Sequence, residues 1–591
     1  MAGMHSDNYE LARSSAPQSI KDYSAFTDKQ WNSKADLSGG VYQSQNSLVE
    51  FDLSNIYRSD GYSDVSDYYS VIPTVMIATC VTNAGATVTP PTAGYALCTL
   101  KNNYQNLIHS VEMTLNGKTI HDHQSFVNIY SNFKMLSSMS PADLKSNNTN
   151  FGMAPDLDNH KSMRFRTSAI AAATAGVSGF GITNNAPFDT TASFLQTVSQ
   201  NDGKGNPALL QRINRTVDTT ANSSYNALFG QTTRIMTEDQ LKAEYKPHYT
   251  VSGNFMYWFD YAIINLKYIV DAIAKIGLVK KAELKLKMYV NTGALSVKVY
   301  GAANASAPST TSYGAVTTTF ANTCPMTVNL LTGNAAAGGF YDTTVDTIIA
   351  GLYISKPPSS FNGGSAFTVA LPGLNSPLSQ CLLYHSNIKL DNQSDTEYAN
   401  ANRAKKIVYE KILYANSVGI TIGGQIDKII TSSIKNPIAV VIVPYIAKNL
   451  AGGLALTTAV PFAQYESPYD TAPSTGAPLS ITNISVTLGG IKVANEVLNY
   501  TYENFLQQVS LAETITSSDI GLNVGLVNQE YWESNRVYYI DLARSRDIDK
   551  TVSRELIVKG KNSSNVPIDC LIFAVYLDEF NIDVVTGVVT M

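Results

Sequence analysis

Two widely separated stretches of this sequence resemble each other. Residues 108–133 read IHSVEMTLNGKTIHDHQSFVNIYSNF, and residues 481–505 read ITNISVTLGGIKVANEVLNYTYENF. Val111, Met113, Leu115 and Gly117 match Ile484, Val486, Leu488 and Gly490 in step. Tyr130, Asn132 and Phe133 then match Tyr502, Asn504 and Phe505, with one residue lost in between. Each copy has the same physical logic. Alternating apolar residues line one face of a strand. The Asn116-Gly117 and Gly489-Gly490 pairs permit the positive φ of a tight turn. A helix follows, with Tyr and Phe three apart on one side. A repeat this long is not a solenoid period. It implies two tandem domains of one architecture.

Length agrees. A chain of 591 residues exceeds what one compact core supports. Each half, at roughly 250–300 residues, can hold an eight-stranded sandwich with long loops. Strands are expected at Val71–Thr79, Val111–Leu115, Phe255–Ile264, Ala282–Val290, Ala439–Val443, Arg536–Leu542 and Cys570–Leu577. They are rich in β-branched and aromatic residues and bounded by Gly, Pro, Asn or Ser. The 34 tyrosines suit half-buried sheet surfaces. Helices are few. Leu266, Ile269, Val270 and Ile273 keep helical spacing between a cap at Asn265 and a stop at Gly277. Thr237 and Gln240 form a capping-box pattern. Phe126, Ile129, Tyr130 and Phe133 make a third apolar stripe, as burial against a sheet requires. Ala302–Tyr313 and Thr471–Pro478 read as surface loops.

Charge and cysteine content exclude several classes. The formal charge is −5, without the basic excess of a nucleic-acid binder. Five scattered cysteines, Cys80, Cys98, Cys324, Cys381 and Cys570, form no disulfide framework or zinc module and read as buried thiols. The polar Met1–Ser33 segment has no signal-peptide core. Ile438–Ala447, broken by Pro444, is too short to span a membrane. The sequons at Asn214 and Asn562 are weak signals in a chain rich in Asn, Ser and Thr.

Several motifs together resemble the double-jelly-roll major capsid proteins of polinton-like viruses and virophages. They include SVEMTLNGK at Ser110–Lys118, YWFDYAIINLKYIVDAIAKIGLVKKAELKLKMYVNTG at Tyr257–Gly293 and NTCPMTV at Asn322–Val328. SQCLLYHSNIKL (Ser379–Leu390), IKNPIAVVIVP (Ile434–Pro444), YWESNRVYYIDLAR (Tyr531–Arg544) and FNIDVVTG (Phe580–Gly587) follow in order. The resemblance implies an all-β chain of two tandem eight-stranded antiparallel jelly rolls with a few short helices. It implies an N-terminal arm over 1–44, a first roll over 45–300 and a second over 301–591. It further implies a homotrimer forming a pseudo-hexameric capsomer of an icosahedral double-stranded DNA virus. The chain would be made in the host cell and reside in the virion, beside neighbouring capsomers, a penton protein and minor capsid proteins.

No catalytic, cofactor or metal residues are expected, and no specific nucleic-acid contact. His121-Asp122-His123 lacks a third ligand and reads as solvated loop histidines. Asp156 and Asp158 lack a full calcium loop. Gly203-Lys204 lacks phosphate-loop spacing. Lys280-Lys281 and Arg403 with Lys405-Lys406 read as surface charge or intersubunit ion pairs. An adhesive β-sandwich is one alternative. An enzyme such as a glycosidase is another, and would need two carboxylates in one groove.

Overall fold

The computed structural model describes residues 26–146, 250–299, 313–317, 326–329, 345–446, 479–511, 524–543 and 551–590, apart from short stretches inside those ranges. Every strand pairing among them is antiparallel. The first half contributes eight principal strands: β1 (Phe26–Ala35), β2 (Ser47–Asp52), β3 (Tyr69–Thr82), β4 (Ile108–Leu115), β5 (Lys118–His121), β6 (Phe255–Asn265), β7 (Leu284–Val290) and β8 (Leu382–Leu390). The second half contributes eight more: β9 (Lys405–Ile420), β10 (Gln425–Ile434), β11 (Pro437–Ile446), β12 (Ile481–Leu488), β13 (Ile491–Asn499), β14 (Tyr538–Asp541), β15 (Arg554–Asn562) and β16 (Ile568–Ile582).

Their order is the same in both halves. The first half pairs β1-β8-β3-β6 in one sheet and β2-β7-β4-β5 in the other. The second pairs β9-β16-β11-β14 and β10-β15-β12-β13. Numbered within each half, both read 1-8-3-6 and 2-7-4-5, the strand order of a jelly roll. The chain is therefore all-β and consists of two antiparallel jelly rolls in tandem. Alternation drives each sandwich closed. In β7, Leu284, Leu286, Met288 and Val290 are buried between partly or fully exposed Lys285, Lys287 and Tyr289.

The sequence repeat occupies the same place in both rolls. Asn116 and Gly117 (φ 47° and 76°) join β4 to β5, and Gly489 and Gly490 (φ 58° and 81°) join β12 to β13. Helix α1 (Val127–Ser138) follows β5. Three further helices are α2 (Asp271–Ile276), α3 (Asn392–Ala401) and α4 (Tyr502–Leu511), of which α4 follows β13. The stripe at Leu266 breaks in two: a 3-10 turn over Leu266–Tyr268, with Asn265 Oδ1 accepting from Lys267 N–H, and then α2.

Two expected boundaries meet a different pairing. Residues 26–35, placed in the arm, form the edge strand β1 along β8. Past residue 300 the chain is still completing the first roll. Val345–Ile354 pairs with β3 over residues 74–82, while β8 pairs with the same edge of β3 over residues 69–71. Gly293–Val299 and Tyr313–Thr317 extend that sheet outward. The eighth position is thus shared by two segments separated by a long excursion, a non-local arrangement without a local signature. The capping box at Thr237, the loop at Thr471–Pro478, Asp156, Asp158, Gly203-Lys204 and the Asn214 sequon lie outside the described residues.

Candidate functional site: the seam and the sheet faces

Helix α1 belongs to the first roll and lies on the second. All of its residues except Lys134 and Ser138 are buried. Its aromatic side chains meet the outward face of the β9-β16-β11-β14 sheet. There Tyr414, Phe573, Val441 and Tyr539 share one cross-strand row. Phe126 lies 5.1 Å from Tyr414, Tyr130 6.0 Å from Phe573 and Phe133 6.2 Å from Tyr539, ring centre to ring centre. Phe133 also meets Phe505, its own counterpart in the repeat, at 6.3 Å. Each buried ring contributes about 2–3 kcal/mol relative to exposure, and suitably tilted pairs add about 0.5–1.5 kcal/mol.

Polar contacts fix the register of this apolar seam. Lys134 Nζ lies 2.6 Å from Glu410 and 3.6 Å from Asp271, and Lys275 Nζ lies 2.8 Å from Asp271. Burial pushes the Asp271 carboxyl up, but Lys134 and Lys275 outweigh it and hold the group below the usual carboxylate range. Burial likewise opposes the Lys134 charge, which Glu410 and Asp271 more than restore. The edge strand β9 uses its backbone too. Glu410 N–H donates to Asp271, and Tyr414 N–H to Gln124 Oε1. Tyr409 OH donates to the Ile120 carbonyl, and Lys405 Nζ to the Ile276 carbonyl at the end of α2. Elsewhere Leu526 N–H donates to the Leu136 carbonyl and Lys280 N–H to the Val584 carbonyl. Asn116 bridges the rolls, donating to the Gly587 carbonyl and accepting from Glu283 N–H. Gly525, at φ +64°, is required here, since a Cβ would sit 2.5 Å from the Ser137 carbonyl oxygen.

The residues weighed for chemistry are used structurally. His121 is buried, with Nδ1 3.0 Å from the Val111 carbonyl, and is not the solvated loop residue expected. Asp122 pairs with Lys411 at 2.9 Å, and His123 Nδ1 lies 3.0 Å from Ser110 Oγ. Lys405 lies in the seam rather than on the surface, whereas Lys406 makes an exposed pair with Glu579 at 2.7 Å. Lys280 Nζ lies 3.6 Å from Asp395 and over the Tyr62 ring. Asn562 is fully buried, and its amide donates to the Thr421 carbonyl, leaving no room for a glycan. Cys381 and Cys570 are buried free thiols whose pKa burial raises. Among the described residues no three His, Cys, Asp or Glu side chains converge, and no helix is long and apolar enough to cross a membrane. The seam itself left no local signal beyond the aromatic pair of the repeat.

The outward sheet faces differ in character. Those of the two 2-7-4-5 sheets carry cross-strand ion pairs: Lys285 with Asp52, Lys287 with Glu112, and Lys559 with Asp427. Those of the two 1-8-3-6 sheets are mainly aromatic and aliphatic, with charge along the edge strands, where Lys29 pairs with Asp67 and Lys406 with Glu579.

Two jelly rolls of one strand order, joined through a packed seam, define a double-jelly-roll protein. No protein-family model and no curated protein sequence matches the chain. Among solved structures it is similar to a chain of the Sputnik virophage, at 10% identity over 97% of this chain and 92% of that one, with a TM-score of 0.47. It is similar to the mavirus major capsid protein at 9% identity, covering 97% and 94%, with a TM-score of 0.39. A chain of the PBCV-1 virus capsid gives 9% identity, covering 97% and 98%, with a TM-score of 0.37. At these values the fold assignment rests on the chain's own strand order.

Proposed function

We propose that this chain is the major capsid protein of a double-stranded DNA virus, with three copies forming a pseudo-hexameric capsomer of an icosahedral shell. The observation that carries the reading is the same eight-strand order twice in one chain, locked at a seam. Two similar rolls in each of three chains give a near-hexagonal outline that tiles a facet. Such a role is mechanical and needs no active site. A heterologous contact between unlike rolls can close into a ring.

In this reading residues 1–25 are the arm, 26–390 the first roll, α3 the link, and 405–590 the second roll. The partners are further copies of the chain, a penton protein and minor capsid proteins. The chain resides in the virion after synthesis in the host cell. Light scattering on the purified chain tests the reading. It predicts a particle of three times 63.9 kDa; a species of 63.9 kDa that stays single at high concentration contradicts it.

A further inference from the structure

The two 1-8-3-6 sheets have equivalent outward faces, and only one is filled by the seam. In the second roll this face lies under α1. In the first roll it presents Trp31, Tyr69, Tyr384, Val71, Ile263 and Tyr261 across four adjacent strands. Tyr384 stacks on Tyr69 at 4.9 Å, with Trp31 5.7 Å from Tyr69. Val71 is directly opposite Ile263, and Pro73 opposite Tyr261. Trp31, Tyr261 and Ile263 are 47%, 40% and 38% exposed, whereas the intervening Ile72, Ala262 and Ile264 are fully buried in the core. Leu371 and Leu374 pack beside the far end of this face, with Val75, Ile77 and Tyr353. Charge enters at its rim, where Lys29 Nζ lies over the Trp31 ring and pairs with Asp67; a contiguous aromatic surface of this kind is one that another surface covers.

The repeat says what covers it. Helix α1 is nearly all buried because it is wedged between two rolls. Its counterpart α4 buries Phe505 and Val509 but leaves Gln507 exposed and Tyr502 and Leu506 half-exposed. One sheet face is therefore uncovered, and α4, which packs Phe505, Tyr502 and Leu506 on the core of its own roll, keeps Glu503, Gln507 and the outer parts of Tyr502 and Leu506 open. They lie on opposite rolls, so one chain's helix side and another chain's sheet face form the matching pair. We infer that the Trp31–Tyr69–Tyr261 face of the first roll is bound by the α4 side of the second roll of another copy of this chain. The inference rests on the capsomer reading and adds which surface closes the ring.

The test is the solution mass of the full chain carrying Tyr261→Lys and Ile263→Lys together, or Trp31→Glu alone, beside wild type. Ile429→Lys serves as control, since Ile429 is 54% exposed on the outward face of β10. The expected result is a threefold fall in mass for both face variants, with folded circular dichroism, and the wild-type mass for Ile429→Lys. Trp31→Glu is a single change on an edge strand and carries the test if the double variant does not fold. Face variants that keep the trimeric mass overturn the inference while leaving the capsomer reading standing. The same mass with a lowered thermal midpoint overturns it as well, by assigning the face to a segment of the same chain. A monomeric wild type removes both.

Discussion

Lys134 sits where three charges meet, 19% exposed, against a Glu410 side chain that is 4% exposed. Removing the ammonium leaves Glu410 buried without its cation, which costs more than the pair itself contributes. Lys134→Met is expected to destabilise the chain by about 3 kcal/mol, read by denaturant unfolding. Lys134→Met with Glu410→Leu is expected to recover most of that loss. A double variant no more stable than the single one would count against the ion pair. His109 gives a pH dependence. Burial lowers its pKa to about 4, with a smaller contribution from His123, and its ring meets Phe126 edge-on at 5.0 Å beneath the seam. The folded pKa is depressed below that of the unfolded chain, so stability is whole above pH ~6.5 and is lost as pH falls toward 4, by at most about 3 kcal/mol. Thermal midpoints at pH 7.5 and 5 should therefore differ more in wild type than in His109→Gln. Equal differences would show that other groups set the acid response. Burial depresses His121 and His385 too, so the variant should reduce the pH effect without abolishing it.

At the scale of elements, what the sequence made legible was local. The NG and GG turns, the alternation in Val111–Leu115 and the stripe at Phe126–Phe133 each carry their structure in a few neighbouring residues. All appear at the expected places, in both copies of the repeat. What was not legible was long-range pairing. Nothing near residue 345 says that its strand lies beside residues 74–82, and nothing in the polar run at Phe26–Ala35 says that it edges a sheet. His121 and Lys405 were misplaced for the same reason: their burial is supplied by the other roll or the neighbouring strand, not by their neighbours in sequence. The contact of Phe133 with Phe505 ties the two copies of the repeat together. Phe133→Ala and Phe505→Ala are each expected to cost about 3–5 kcal/mol. Together they should cost less than their sum by about 0.5–1.5 kcal/mol, because the rings touch. Strict additivity in the double-mutant cycle would contradict that contact.

The whole molecule is two copies of one sandwich held in fixed relation by a helix. The internal seam shows how one roll receives the other, and the proposed contact at the Trp31 face repeats that arrangement between chains. Exposed strand edges and apolar sheet faces invite uncontrolled association unless they are spent on defined contacts. A ring that closes spends them. A near-neutral balance, with 42 basic and 47 acidic residues, favours neighbours packing side by side without strong mutual repulsion. The most direct measurement is an electron cryomicroscopy reconstruction of the purified particle. The capsomer account predicts three chains arranged as six jelly rolls around one axis, with α4 of each chain over the Trp31 face of the next. A single isolated double roll, or a ring with that face turned to solvent, would contradict it.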